Sequence, residues 1–268
     1  MEALHLIDGW DVPFAAAGVT RADSTIGTHG DARRSVALAS VSKPISALAT
    51  LVAAEEGVVD LDAPAGPPDS TVRHLLAHAS GLMPDATTPI SLPGRTRIYS
   101  NTGFDLLGRL VEDRAGRPFA DLVVDWVAAP LGLRSSRLQG PASRGAVGST
   151  ADLAALSHEL LAPSVLPASL VADASAVQFP GLRGVLPGFG LQDPNDWGLG
   201  FEVRGTKSPH WTGSRNSPAT FGHFGRSGTF LWLDPVAGIA VACLTDRSFG
   251  AWAGEAWPAI SDAVLGAA

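Results

Sequence analysis

Apolar residues recur every three or four positions over several stretches of the chain, which is the spacing of one face of an α-helix. The clearest stretch is 41–56, where Ala and Leu dominate, Pro44 falls in the first turn and Gly57 follows the end. Helices are also predicted over 71–78, 102–115, 119–128, 150–161 and 252–265.

Strand patterns lie near the two ends of the chain. Short apolar pieces broken by glycines predict a β-hairpin within 12–39, and strands are predicted over 197–203, 229–233 and 238–244, the last of which is apolar and β-branched. Residues 162–195 are rich in Pro and Gly and are predicted to be mostly loop. Strands grouped in this way favour antiparallel pairing over a doubly wound sheet.

The predicted fold class is therefore α/β (α+β), with an antiparallel sheet built from both chain ends, flanked by helices. The helices between the strand groups predict a mainly helical inserted domain. We expect residues 1–65 plus 196–268 to form the sheet domain and 66–195 the helical one, with an active site between them.

Composition narrows the class of protein. Of 268 residues, 46% are hydrophobic and 17% charged, which is typical of a globular protein rather than a disordered chain. The net charge is −7 and no basic cluster stands out, so nucleic acid and acidic membranes are poor partner candidates. The amino terminus lacks a signal-peptide pattern and no apolar stretch is long enough to span a bilayer, which predicts a cytoplasmic protein.

The single cysteine, Cys243, lies in an apolar strand and is expected in the core. It excludes an intramolecular disulfide and a zinc site built from several cysteines. His74 and His78 have a spacing that can bind zinc, but no Glu completes a metalloprotease motif, so we interpret them as structural. No metal and no cofactor are predicted.

Ser40-Val41-Ser42-Lys43 is the first segment that suggests chemistry. Three residues of helix bring Ser40 and Lys43 onto one face, and the amide of a serine in the first turn is free to face an oxyanion. A serine hydroxyl needs a base, which a desolvated lysine can supply. Taken alone, the segment could equally be a helix-capping serine with a solvated lysine.

Two later segments add to the first. Tyr99-Ser100-Asn101 holds the only tyrosine of the chain and precedes a predicted helix, so it offers a phenol for proton transfer and an amide for a carbonyl. His223-Phe224-Gly225 leads into an apolar strand, where a glycine lets a ligand approach the backbone closely. Each alone could be a plain helix start or a Gly-rich turn.

Together, in this order, the three segments resemble the serine β-lactamase and penicillin-binding-protein superfamily, and most closely its class C branch. That branch includes class C β-lactamases, DD-peptidases, D-aminopeptidases and family VIII carboxylesterases. Neighbouring sequence supports the resemblance over roughly residues 12–250, including Val72-Arg73-His74-Leu75-Leu76, Gly94-Arg95-Thr96-Arg97-Ile98-Tyr99 and Trp197-Gly198-Leu199-Gly200-Phe201.

The resemblance implies roles for individual residues. Ser40 would be the acylated nucleophile, Lys43 its activating base and Tyr99 a proton shuttle. Asn101 would contact the substrate.

For the third segment, the resemblance places His223 and Gly225 at the family's third motif. The backbone amides of Ser40 and Arg226 would form the oxyanion hole. His210 offers a competing third motif, but no strand follows it, so we expect it in a loop that lines the cleft.

Two departures from the family pattern bear on the substrate. The chain is short for this family, and His223 stands where β-lactamases usually carry lysine. Without a fixed cation at this position, the site is less suited to bind the carboxylate of a β-lactam. We therefore expect an esterase-type serine hydrolase that acts on a small-molecule ester, amide or β-lactam. The alternatives are a D-aminopeptidase or DD-carboxypeptidase, a weak β-lactamase, and a penicillin-binding sensor that is acylated without turnover.

Overall fold

Helices and strands come in groups along the chain in the computed structural model, which describes residues 1–267. The α-helices are α1 (Ser42–Glu55), α2 (Val72–Leu76), α3 (Asn101–Ala115), α4 (Phe119–Val123), α5 (Thr150–Leu161), α6 (Ala168–Ser175) and α7 (Ala251–Ala267). Two 3-10 helices span Glu2–Gly9 and Ala39–Val41, and a π-helix, Val124–Ala128, continues α4.

The strands are short except near the two chain ends. They are β1 (Ala15–Arg21), β2 (Thr25–His29), β3 (Val36–Ala37), β4 (Arg137–Leu138), β5 (Ala146–Gly148), β6 (Gly184–Leu186), β7 (Gly190–Gln192), β8 (Glu202–Val203), β9 (Phe221–Gly225), β10 (Thr229–Asp234) and β11 (Ile239–Thr245).

Six of these strands form one antiparallel sheet in the order β2-β1-β11-β10-β9-β8. Strand β1 pairs with β11 along its whole length, from Ala15 opposite Thr245 to Arg21 opposite Ile239. The expected fold class, with an antiparallel sheet built from both chain ends and flanked by helices, is confirmed. The other sheets are small: β3-β5-β4 and the hairpin β6-β7.

Both faces of the large sheet are covered by apolar groups. Along β11, Ala242 and Leu244 join a core shared with α1, α3 and α5, whereas Val241 and Cys243 join a second core beneath α7 and the first 3-10 helix. This alternation follows from the two-residue period of a strand. Cys243 is fully buried there, in the apolar strand predicted for it.

Helix α1 is buried almost all round, as expected for an Ala- and Leu-rich helix without a polar face. It packs against helices on one side and against the segment before β8 on the other. There, Gly200 has φ +87°, and a Cβ on it would lie 2.2 Å from the Cβ of Ala47. Only glycine permits both this backbone conformation and this contact.

Most of residues 162–195 lie outside helices and strands, as predicted, but the stretch also holds α6 and the β6-β7 hairpin, which were not predicted; the spacing of buried Leu170, Val171 and Ala174 in α6 is helical. The predicted strand 197–203 is reduced to Glu202–Val203, since Gly198 and Gly200 bend the chain before it. The first 3-10 helix was not predicted.

The division into a sheet domain (1–65 plus 196–268) and a helical domain (66–195) stays a prediction. Helix α5, from the middle segment, packs against β1 and β11 of the sheet. Among the helices of residues 1–267, none combines the length and hydropathy required to cross a bilayer.

Candidate active site

Ser40 lies in the 3-10 turn Ala39–Val41, immediately before α1. The preceding Ala39 has φ +47°, a left-handed conformation that is costly for a residue with a Cβ and that tends to occur at functional sites. Ser40 is half-buried and lines a cavity. The neighbouring Ser42 is fully buried, and its hydroxyl is held by the carbonyl of Ala39 and the amide of Ala146.

Lys43 lies one turn further along α1 and is completely buried. Its Nζ is 2.6 Å from the hydroxyl oxygen of Tyr99, 2.7 Å from Asn101 Oδ1 and 2.9 Å from the carbonyl oxygen of Ser143. Burial holds the pKa of Lys43 well below its usual value, and nearby Asp105 only partly opposes this. The structure thus brings together three segments distant in sequence around a lysine that favours its neutral form.

The partners of Lys43 indicate where its lone pair points. Asn101 Oδ1 and the Ser143 carbonyl can only accept hydrogen bonds, so they take the two N–H groups of a neutral amine. The remaining partner, the phenol of Tyr99, can donate. In the neutral form of the amine, the lone pair would therefore face the Tyr99 hydroxyl; in the ammonium form, Nζ donates to the Tyr99 oxygen.

Tyr99 lies between Lys43 and Ser40. Burial raises the pKa of its phenol, and the nearby Ser40 side chain partly opposes this rise by favouring the phenolate. The loop that carries Tyr99 is fixed by the next residue, because the Ser100 hydroxyl caps α3 by accepting from the amide of Gly103. The site therefore lowers the pKa of the amine and raises the pKa of the phenol beside the Ser40 side chain, and both shifts favour the uncharged forms.

The end of β9 lies close against the turn that carries Ser40. A Cβ on Gly225 would lie 2.5 Å from the Leu38 carbonyl oxygen, and the hydroxyls of Ser227 and Thr229 donate to the carbonyls of Ala37 and Leu38. Glycine is thus required at this contact.

The two amides expected to form the oxyanion hole lie at this junction. Ser40 and Arg226 line the same cavity, and neither backbone amide donates a hydrogen bond to another residue within 1–267. Both donors are therefore available to a ligand oxygen.

His223 is buried on β9 with its ring 5.8 Å from that of Tyr99 and 5.5 Å from that of Trp197. Its Nδ1 donates to the carbonyl of Phe224 at 2.7 Å, so Nε2 presents a lone pair, and Nε2 has no partner among the described residues. Burial, reinforced by Lys43, lowers the pKa of His223 to about 3. The imidazole is neutral near pH 7.

The cavity has a volume of about 300 Å³. Besides the predicted Ser40, Tyr99, Asn101, His223 and Arg226, its walls include residues that sequence reasoning did not assign to the site: Leu186, Pro187, Gly188, Trp197, Glu202, Phe224 and Phe249. Trp197 and Phe224 belong to segments quoted for the family resemblance, and this was the signal that could have pointed to them. Most of these additional cavity-lining residues are apolar.

Glu202 is a buried carboxylate at the edge of this cavity. It accepts hydrogen bonds from His210 and Trp211 and pairs with Lys207. These partners outweigh burial and lower its pKa to about 2. The expectation that the His210 loop lines the cleft is wrong: His210 is buried behind Glu202 and is not among the cavity-lining residues.

The remaining histidines of interest have structural contacts. His74 caps α2 together with Thr71, and His78 packs against Tyr99 and accepts from the amide of Ser100. A separate group of potential metal ligands, His5, Asp8 and His29, does not line the cavity, and hydrogen bonds to Asp8 link its two histidines.

Comparison with known proteins agrees with the family resemblance seen in the sequence. The chain matches the Beta-lactamase family over residues 3–265. A crystal structure described as a beta-lactamase from Mycobacterium bovis superposes with a TM-score of 0.97 and 54% identity, covering 99% of this chain and 98% of that one.

Two curated relatives match over shorter segments. Penicillin-binding protein 4* of Bacillus subtilis (strain 168) is 29% identical over 134 residues, which cover 38% of this chain and 30% of that protein. Esterase EstB of Burkholderia gladioli is 33% identical over 144 residues, which cover 36% of each. The match thus spans about a third of the length of these relatives. The near-complete family match and the 54% identical structure establish that this chain belongs to the Beta-lactamase family.

Proposed function

We propose that the protein is a serine hydrolase of the class C type that works through an acyl-enzyme on Ser40. One observation carries the proposal: the buried Lys43 amine contacts the Tyr99 phenol at 2.6 Å, and Tyr99 lines the same cavity as Ser40. A weak nucleophile is therefore linked through one proton carrier to a base.

The proposed reaction begins when Ser40 Oγ attacks the carbonyl carbon of the substrate. The hydroxyl proton passes to the Tyr99 oxygen while the phenolic proton passes to Lys43 Nζ, which becomes an ammonium ion. The amides of Ser40 and Arg226 stabilise the oxyanion. Collapse of the tetrahedral intermediate breaks the bond to the leaving group, which takes a proton back through Tyr99. Water then attacks the acyl-enzyme by the same route and restores Ser40.

We propose small neutral esters as the main substrate class. The cavity wall is largely apolar, with Trp197, Phe224 and Phe249 among its members, and the neutral His223 offers no cation to a substrate carboxylate. The name of one relative, an esterase, agrees with this proposal.

A second candidate is hydrolysis of a β-lactam or of a D-amino-acid peptide, and Arg226 favours it. This residue is exposed and lines the cavity, so its guanidinium can meet a carboxylate at the entrance. The description of the Mycobacterium bovis relative as a beta-lactamase points the same way.

A panel of substrates tests both candidates on one preparation. We expect p-nitrophenyl butyrate to be hydrolysed with kcat/KM at least about tenfold above nitrocefin, a gap of roughly 1.4 kcal/mol in transition-state stabilisation. A fluorophosphonate probe should label Ser40, and Ser40→Ala should abolish labelling and turnover, whereas Ser42→Ala should retain labelling.

Other outcomes would redirect the assignment. A preference for nitrocefin would replace the esterase with the β-lactamase. Labelling without steady turnover of any substrate would indicate an acylated sensor. An adduct mapped to Ser42 or Ser227 would contradict the choice of nucleophile.

A further inference from the structure

A carboxylate that no motif includes lies directly beside the proposed reaction centre. Asp85 follows α2 in a loop, with 69% of its side chain exposed, and its Oδ1 accepts a hydrogen bond of 2.9 Å from Asn101 Nδ2. The same oxygen is 3.5 Å from Nη1 of Arg144. Asp85 therefore engages two donors at once, one from each side of the site.

The backbone fixes Asp85 in this place. The amides of Asn101 and Thr102 both donate to the carbonyl of Pro84, and the Ser100 hydroxyl donates to the carbonyl of Met83. The carboxylate is thus tied to the start of α3, where a negative charge is also favoured by the helix dipole.

Both donors belong to segments that hold Lys43. The Oδ1 of Asn101 accepts a hydrogen bond from Lys43, so only Nδ2 of this amide can bind a substrate. One of the two N–H groups of Nδ2 already donates to Asp85. Arg144 follows Ser143, whose carbonyl also contacts Lys43. An anionic oxygen of a substrate that approached Asn101 would therefore compete with Asp85 for the Asn101 amide and for the Arg144 guanidinium.

We propose that Asp85 determines specificity by competing with negatively charged substrates for Asn101 and Arg144, so that the site selects neutral acyl groups. This inference rests on the proposed function. Burial is the main cause of the pKa shifts of Lys43 and Tyr99, but Asp85 also raises the pKa of each and Arg144 lowers it, which agrees with the place of this pair beside the reacting groups.

Two substrates of equal length isolate the effect of charge: p-nitrophenyl hexanoate and the mono-p-nitrophenyl ester of adipic acid. The measured quantity is the ratio of kcat/KM for the neutral ester to that for the anionic ester. Asp85→Asn keeps an oxygen for the Asn101 amide but removes the charge, and should lower the ratio by about three- to tenfold, the effect of one partly screened charge a few ångströms away.

Arg144→Gln is the reciprocal variant, because it leaves the Asp85 charge without its partner, and it should raise the ratio. Added salt should reduce both changes, since exposed charges are screened. Asp121→Asn is the matched control: it makes the same change of net charge at an exposed position of α4 that does not line the cavity, and should leave the ratio as it is in the unmodified protein.

An unchanged ratio in Asp85→Asn, in a protein that hydrolyses both esters, would overturn this inference and leave the serine hydrolase standing. The inference would also be overturned if Asp85→Asn and Arg144→Gln changed the ratio in the same direction. If the folded, unmodified protein hydrolysed neither ester, the proposed function would fail and this inference with it.

Discussion

Desolvation sets the protonation of the individual side chains around Ser40. Lys43 would be an ammonium ion and His223 partly charged in water near neutral pH, whereas burial in this site favours the uncharged form of each. Tyr99 is kept protonated for the same reason. Burial thus favours the uncharged form of each group, and in a chain of uncharged donors and acceptors the transfer of one proton creates the charges that the reaction needs.

The pair Lys43 and Tyr99 should therefore behave as one unit. We expect Lys43→Ala and Tyr99→Phe each to lower kcat by at least about 10²-fold, the loss typical when general-base catalysis is removed. The double variant should lose far less than the product of the two effects, because the second substitution removes a step that is already broken. Steady-state kinetics of the three variants give the comparison, and losses that multiply would mean that the two groups act separately.

His223 makes a prediction about stability against acid. Its pKa is about 3 in the folded protein and near 6.5 in the unfolded chain, so the unfolded state binds more protons between these values. The free energy of unfolding must then fall as the pH drops through this window, approaching about 1.4 kcal/mol per pH unit for this group. His78 adds a contribution of the same sign, because burial lowers its pKa too.

Urea unfolding at pH 5.5 and pH 4 would measure this dependence. Carboxylates also make the free energy of unfolding depend on pH, but they are the same in the unmodified protein and in the His223 variants. The quantity to compare is therefore the change in the free energy of unfolding between pH 5.5 and pH 4. His223→Asn and His223→Gln should both lose stability less steeply on acidification than the unmodified protein, whatever their stability at pH 7. Parallel slopes would show that His223 is protonated in the folded state.

At the scale of elements, the site depends on how closely β9 approaches the turn before α1. The hydroxyls of Ser227 and Thr229 fix the turn after β9 to the carbonyls of Ala37 and Leu38, and Gly225 leaves room for that contact. The position of the Arg226 amide relative to Ser40 is a consequence of this packing rather than of any local property of either element.

Gly225→Ala tests the contact. The new Cβ would lie 2.5 Å from the Leu38 carbonyl oxygen and 3.2 Å from the Ala39 Cβ, so β9 or the turn must move. We expect a loss of about 1–3 kcal/mol in the free energy of unfolding, as for other overpacked sites, together with a fall in kcat. Chemical denaturation and ester hydrolysis give the two readouts.

The control is Gly254→Ala in α7, where a Cβ would meet no atom within 4 Å. This substitution should stabilise the protein by up to about 1 kcal/mol through helix propensity and leave kcat as it was. Similar behaviour of the two variants would contradict the close contact at Gly225.

Local sequence patterns predicted the elements that carry the reacting groups, but not the walls around them. The spacing of Ser40 and Lys43 and the stop at Gly57 describe α1 because those signals act within a few residues. Leu186, Glu202, Phe249 and Asp85 reach the site only through contacts between distant segments, for which no local pattern exists. Helix α6 was missed because its short apolar repeat lies in Pro- and Gly-rich surroundings.

Across the whole molecule, the groups of the site come from both ends and the middle of the chain, and the large sheet holds them together. Ser40 follows the β1-β2 hairpin, Tyr99 and Asn101 lie at the start of α3, and His223 lies on β9. Arg97, buried two residues before Tyr99, donates to the carbonyls of Ala77, Gln178, Phe179 and Asn195. One guanidinium thus connects the loop of Tyr99 to segments far along the chain.

The place of β11 in the sheet also sets an order of events during translation. This strand lies between β1 and β10, so it joins the β1-β2 hairpin, which is synthesised first, to β8, β9 and β10, which are synthesised shortly before β11. Until it leaves the ribosome, β1 can pair only with β2 and presents an open edge. The nascent chain therefore contains Ser40 during most of its synthesis, before β11 can complete the sheet that positions β9. Pairing between strands so far apart in sequence is slow to form. Hydrolysis should begin only once Thr245 has emerged.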